Sequence, residues 1–68
     1  MHSEDIVIEY KDRHLSRPMM DQILGAAIRT NPNAEEVVIM CATAASTVSE
    51  DEFEDAFGVD ITIVEVKK

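Results

Sequence analysis

The stretch that most restricts the fold is residues 36–42, EVVIMCA, a run that is apolar without alternation. A strand that buries one face alternates apolar with polar residues. One that does not alternate is buried on both faces, and so belongs in the middle of a sheet. The rest of the chain is read around this central strand.

Two further strands flank it in sequence. In residues 5–10 (DIVIEY), Ile6, Ile8 and Tyr10 share one face of a strand, with Val7 and Glu9 on the other. In residues 60–66 (DITIVEV), Ile61 and Ile63 lie on one face and Thr62, Val64 and Val66 on the other.

Helices are predicted between the strands. Over residues 17–30, Ser16 is an N-cap and Pro18 falls in the first turn, where its missing N–H does no harm. Leu15 and Met20 have the spacing of a hydrophobic staple. Met20, Ile23, Leu24, Ala27 and Ile28 make the apolar stripe, and Asn31 and Pro32 end it. Gly25 inside this helix costs about 1 kcal/mol against Ala, which suggests close packing there. In residues 49–57, Ser49 and Glu52 have the pattern of a capping box, with Val48 and Phe53 as its staple. Phe53, Ala56 and Phe57 form the stripe, and Gly58 stands where a left-handed residue is wanted.

The order is therefore β-α-β-α-β: a small α/β domain over residues 1–68 with a three-stranded, mainly parallel sheet. Order 1-2-3 with right-handed crossovers puts both helices on one face and leaves the other bare. The bare face draws on Val7 and Glu9, alternate residues of 37–41, and Val64 and Val66. An apolar face in water calls for a partner, so a homodimer or larger assembly through that face is expected. Order 2-1-3, with one helix on each face, and an antiparallel last strand are the competing topologies.

The chain has 68 residues, too few for two cores. One cysteine cannot form an internal disulfide, which fits a reducing compartment. The acidic start, MHSEDIVIEYK, does not read as a secretory signal, and no run reaches the length of a membrane span. A cytoplasmic protein is expected.

Charge narrows the partners. Six Lys and Arg face fourteen Asp and Glu, a formal net charge of −8. Direct nucleic-acid binding needs a basic face and is not expected. The excess sits in the second half, where 35–68 holds nine acids and two bases. Glu50, Asp51, Glu54 and Asp55 are expected to form an anionic ridge opposite Phe53 and Phe57, a docking surface for a basic protein. The sharper form is a nucleic-acid mimic that inhibits a nucleic-acid-binding protein, by analogy with viral anti-defence or antitoxin-like proteins. The plainer alternatives are helix-dipole compensation, solubility and salt adaptation.

A second reading uses the carboxyl edge of the sheet, where open α/β sheets bind ligands. The segments KDRHLSR and CATAAST would bring Arg13, His14, Arg17, Thr43, Ser46 and Thr47 to an anion or nucleotide. Against it, three acids open the second helix, no glycine-rich phosphate loop is present, and Arg13 and Arg17 can pair with Glu50, Asp51 or Glu52. A third reading is a structural subunit of a homo-oligomer.

No enzymatic role, cofactor or metal is expected. Cys41, which His14 on the neighbouring loop could activate, reads instead as a buried hydrophobe in an acidic setting. His2 and His14 lack ligand spacing, and the pairs Glu50–Glu54 and Asp51–Asp55 make no cage. Met1, Met19, Met20 and Met40 read as core filler and adaptable contacts.

Overall fold

In the computed structural model, residues 5–66 are described; Met1 and His2 lie outside them. The elements are β1 (Ile6–Leu15), α1 (Arg17–Thr30), β2 (Glu36–Ala44), α2 (Glu50–Phe57) and β3 (Asp60–Glu65). The three strands form one sheet in the order β1-β2-β3. Both pairings are parallel, so neither competing topology is adopted.

Local chemistry sets the helix ends. The Ser16 hydroxyl accepts from the Met19 amide at 3.4 Å, and Ser49 accepts from the Glu52 amide at 3.5 Å. Asn31 closes α1 by donating its amide to the Ala27 carbonyl at 2.9 Å. Gly58, at φ 73°, closes α2 through its amide to the Glu54 carbonyl at 2.8 Å. That backbone conformation is left-handed and carries a steric cost for a residue with a Cβ. Gly25 behaves differently from the expectation: a Cβ built there meets nothing within 4 Å, so packing does not require glycine.

One core cluster joins Val37, Ile39 and Cys41 of β2 and Ile61 of β3 with Leu15, Met20, Ile23, Leu24, Ala27 and Phe53. Leu15 and Met20, the staple pair, are both fully buried. Ile28 is half-buried and Ala56 exposed, so each helical stripe is narrower than its periodicity suggests.

β1 departs most from expectation. It runs to Leu15, five residues past the apolar segment. Lys11 pairs with Cys41 and His14 with Thr43, so Asp12 and Arg13 face a single residue of β2, a bulge. Leu15 then holds the strand end, accepting from the Ala45 amide at 2.9 Å. The polar letters KDRHL hide a strand because its pairing comes from β2 and its one anchor from the core.

The faces of β1 also differ from expectation. Val7 is in register with buried Val37 and packs against the core, whereas Ile6, Ile8 and Tyr10 are exposed. The more apolar alternate set of this edge strand therefore faces away from the core. Across the sheet the register makes two rows on that side, Ile8–Val38–Thr62 and Tyr10–Met40–Val64.

Candidate functional site

Two surfaces stand out: the acidic helix, expected from the sequence, and the side of the sheet that bears Ile8 and Tyr10, which for β1 is the opposite of the side expected. The helix is seated by Phe53, which is buried, with its ring 6.4 Å from that of half-buried Phe57. Arg17 lies over the Phe53 ring, its guanidinium carbon 5.3 Å from the centroid.

The acids of α2 do not form one uniform ridge. Glu52 takes a two-pronged ion pair from Arg17, at 2.8 Å and 2.7 Å. Arg17 also donates to the Thr47 carbonyl at 3.1 Å. Hydrogen bonding to Arg17 holds the Glu52 carboxyl below its ordinary range, and the same bond holds the Arg17 guanidinium above its own.

Glu54 accepts from the Ile61 amide at 3.0 Å, and Glu50 from the Ile63 amide at 2.6 Å. Both are half-buried. This pattern was missed in the sequence, although its signal is present. Residues i and i+4 on a helix rise about 6 Å, and alternate outward amides of a strand are about 6.6 Å apart. A helix joined by a single glycine turn to an edge strand can thus cover two of its amides with two carboxylates. Asp51 and Asp55 are exposed. At the far end of β3, Glu65 accepts from the Ala44 amide at 2.8 Å.

The carboxyl-edge group is brought together only in part. His14 Nδ1 and Thr43 Oγ1 are 2.7 Å apart. Arg17 stands with Thr47 but is directed to Glu52. Ser46 is exposed in the turn. Arg13 lies apart from these, on an open groove of about 480 Å³ between β1 and α1 that Lys11, Met19, Gln22, Ile23 and Ala26 also line.

Cys41 is fully buried, and burial, with Glu65 adding to it, pushes its thiol up, away from nucleophilic character. Among the described residues no group of three or more His, Cys, Asp or Glu is placed to hold a metal ion. Nor, among them, is any helix long and apolar enough to cross a membrane.

The sheet surface is the least ordinary feature. Ile8 is 65% exposed, Tyr10 53%, Ile6 45% and Val64 38%, all on one side, beside half-buried Val38 and Met40. Glu36 and Asp60 stand in register with Ile6 at one end of it, and Glu36 accepts from the Thr62 hydroxyl at 3.0 Å.

Comparison of the chain with protein-family models, with curated proteins and with solved structures finds no match in any of the three.

Proposed function

We propose that this chain works by binding a basic protein, with the apolar side of its sheet as the contact and no chemistry of its own. We read both helices as packed on the sheet side that carries Val37, Ile39 and Cys41, because their buried side chains join those residues in one cluster. Among the described residues, none then covers the other side. The observation that carries the reading is the patch Ile6, Ile8, Tyr10 and Val64, whose contiguous exposure in water is unfavourable unless something covers it.

Charge supports the choice of partner. Glu36 and Asp60 border the patch, Asp51 and Asp55 add to the acidic surface, and the formal net charge is −8. A surface with an apolar centre and cationic rim complements this arrangement, and the like-signed field speeds encounter. Proteins that grip nucleic-acid backbones carry such cations, so the role that fits is a stoichiometric inhibitor occupying the place of phosphates. The groups that serve chemistry elsewhere are committed here: Arg17 to Glu52, His14 to Thr43, and Cys41 to the core. The same commitment of Arg17 weakens the anion-pocket reading.

The test is affinity capture from the native host, with the chain and with Met40→Lys/Val64→Lys, each confirmed folded by circular dichroism. A basic protein is expected that the double variant fails to retain, that elutes with salt and that added DNA or RNA displaces. Capture that the double variant leaves intact, or a retained protein that nucleic acid does not displace, overturns the proposal.

A further inference from the structure

We infer that a second copy of this chain pairs with the outer edge of β1, antiparallel about a two-fold axis at Ile8, and joins the two sheets into one of six strands. The inference does not depend on the basic partner proposed above.

The two edges of the sheet are treated differently. At β3, the outward amides of Ile61 and Ile63 are occupied by the carboxylates of Glu54 and Glu50. Such cover prevents strand addition. At β1, the Asp5 carbonyl accepts from the Glu35 amide at 2.8 Å, so Asp5 faces β2. Backbone direction alternates along a strand, which turns the amides and carbonyls of Ile6, Ile8 and Tyr10 off the sheet. This stretch is regular; the bulge begins only after Lys11. Among the described residues, the open edge is thus the unbulged part of the strand, and its side chains are the exposed apolar set.

Register follows from self-complementarity. With the axis at Ile8, Ile8 faces its own copy and Ile6 faces Tyr10 of the copy, as hydrogen-bonded pairs. Between and beyond them Val7 faces Glu9, and Asp5 faces Lys11, as the closer non-bonded pairs. The Asp5–Lys11 pair occurs twice by symmetry and places opposite charges directly across the strands. About six main-chain hydrogen bonds form, those of the three outward residues on each copy. Shifting the axis to Tyr10 would set apolar Ile8 against Asp12, and the axis at Ile8 avoids that.

The groove between β1 and α1 fits the same arrangement. Strands lie about 4.8 Å apart, so helices lying between the first two strands of each copy come within about 10 Å of one another. The groove-lining side of α1 that would make this approach carries exposed Gln22 and Ala26, the latter small enough for close helix contact.

Sedimentation of the full chain at sub-millimolar concentration is expected to show a dimer. Amide exchange at Ile6, Ile8 and Tyr10 should slow as concentration rises. In Ile8→Pro the lost N–H points off the sheet, so the monomer folds, while dimerisation weakens at least about tenfold. Lys11→Glu sets like charges across the strands and should weaken the dimer similarly, and Asp5→Lys/Lys11→Glu should restore it. A monomeric wild-type chain, or a dimer that survives both Ile8→Pro and Lys11→Glu, overturns the inference. Loss of the basic partner in the capture experiment leaves all of these readouts unchanged.

Discussion

Glu50 of α2 accepts a hydrogen bond at 2.6 Å from the amide of Ile63, thirteen residues later on the edge strand β3. Glu54, one turn further along the helix, does the same for Ile61 at 3.0 Å. A short acidic helix thereby serves its own sheet: its carboxylates supply the hydrogen-bond acceptors that a fourth strand would otherwise offer.

Removing these acceptors should therefore do more than reduce charge. Glu50→Ala and Glu54→Ala are each expected to cost about 1 kcal/mol, since each leaves a half-buried amide without its protein partner. The double alanine variant should also aggregate more readily through the bared edge. Glu50→Gln/Glu54→Gln keeps a carbonyl acceptor at each place and should behave nearly as the parent. Urea unfolding and light scattering of the three proteins check this; equal losses for Ala and Gln would assign the effect to charge instead.

Gly25→Ala is expected to stabilise the protein by about 1 kcal/mol. Glycine in a helix interior loses more backbone entropy than alanine, and a Cβ at this position meets nothing within 4 Å. Gly58→Ala should lower stability by about 1 kcal/mol, because its φ of 73° is left-handed. The opposite signs of the two changes, read by thermal unfolding, separate a glycine that the backbone requires from one that it does not.

Helix α1 was legible in full because its signals are local: Ser16 before the first turn, the 3.6-residue stripe, and Asn31–Pro32 after it. The central place of β2 was legible from its unbroken apolar run and the parallel pairing from two helical connections; burial on both faces was not met, since Val37, Ile39 and Cys41 are buried but Val38 and Met40 only half-buried. The second half of β1 was not legible, because nothing in KDRHL marks a strand and its pairing is imposed by β2 across a bulge. Periodicity divided Ile6, Ile8 and Tyr10 from Val7 and Glu9, but only the register of Val7 on buried Val37 says which set faces inward. At the acidic helix, the even ridge failed as a description because carboxylate roles depend on what the next strand presents. Of the four acids expected in it, Glu50 and Glu54 accept from amides of β3 while Asp51 and Asp55 are exposed, a division decided by tertiary placement.

The Arg17–Glu52 pair should appear in the acid limb of the stability curve. Its hydrogen bond depresses the Glu52 carboxyl in the folded chain relative to the unfolded one. The stabilisation is then complete above the unfolded carboxyl's range and disappears as pH falls through the lower folded value. The melting temperature of the parent should exceed that of Glu52→Gln near neutral pH, with the gap closing on acidification below the ordinary carboxylate range. Both side chains are exposed, so the gap will be small. A gap that stays constant with pH would mean that Gln at this position loses packing and not the ion pair.

Cys41 should resist thiol reagents as long as the fold is intact. It is fully buried on the core side of the central strand, and desolvation together with Glu65 keeps it in the thiol form. Reaction then requires opening of the core that covers it, so its rate should follow the population of open molecules and rise with urea, whereas reaction at an exposed cysteine would change little. Cys41 shares its cluster with Leu15, Met20, Leu24 and Phe53, so reaching the thiol means parting these covering side chains from β2. Ligands or assembly that stabilise the folded chain should slow the modification in proportion. Fast labelling of the native protein by a small reagent such as iodoacetamide, insensitive to urea below the unfolding transition, would show instead that Cys41 is reached without opening the core.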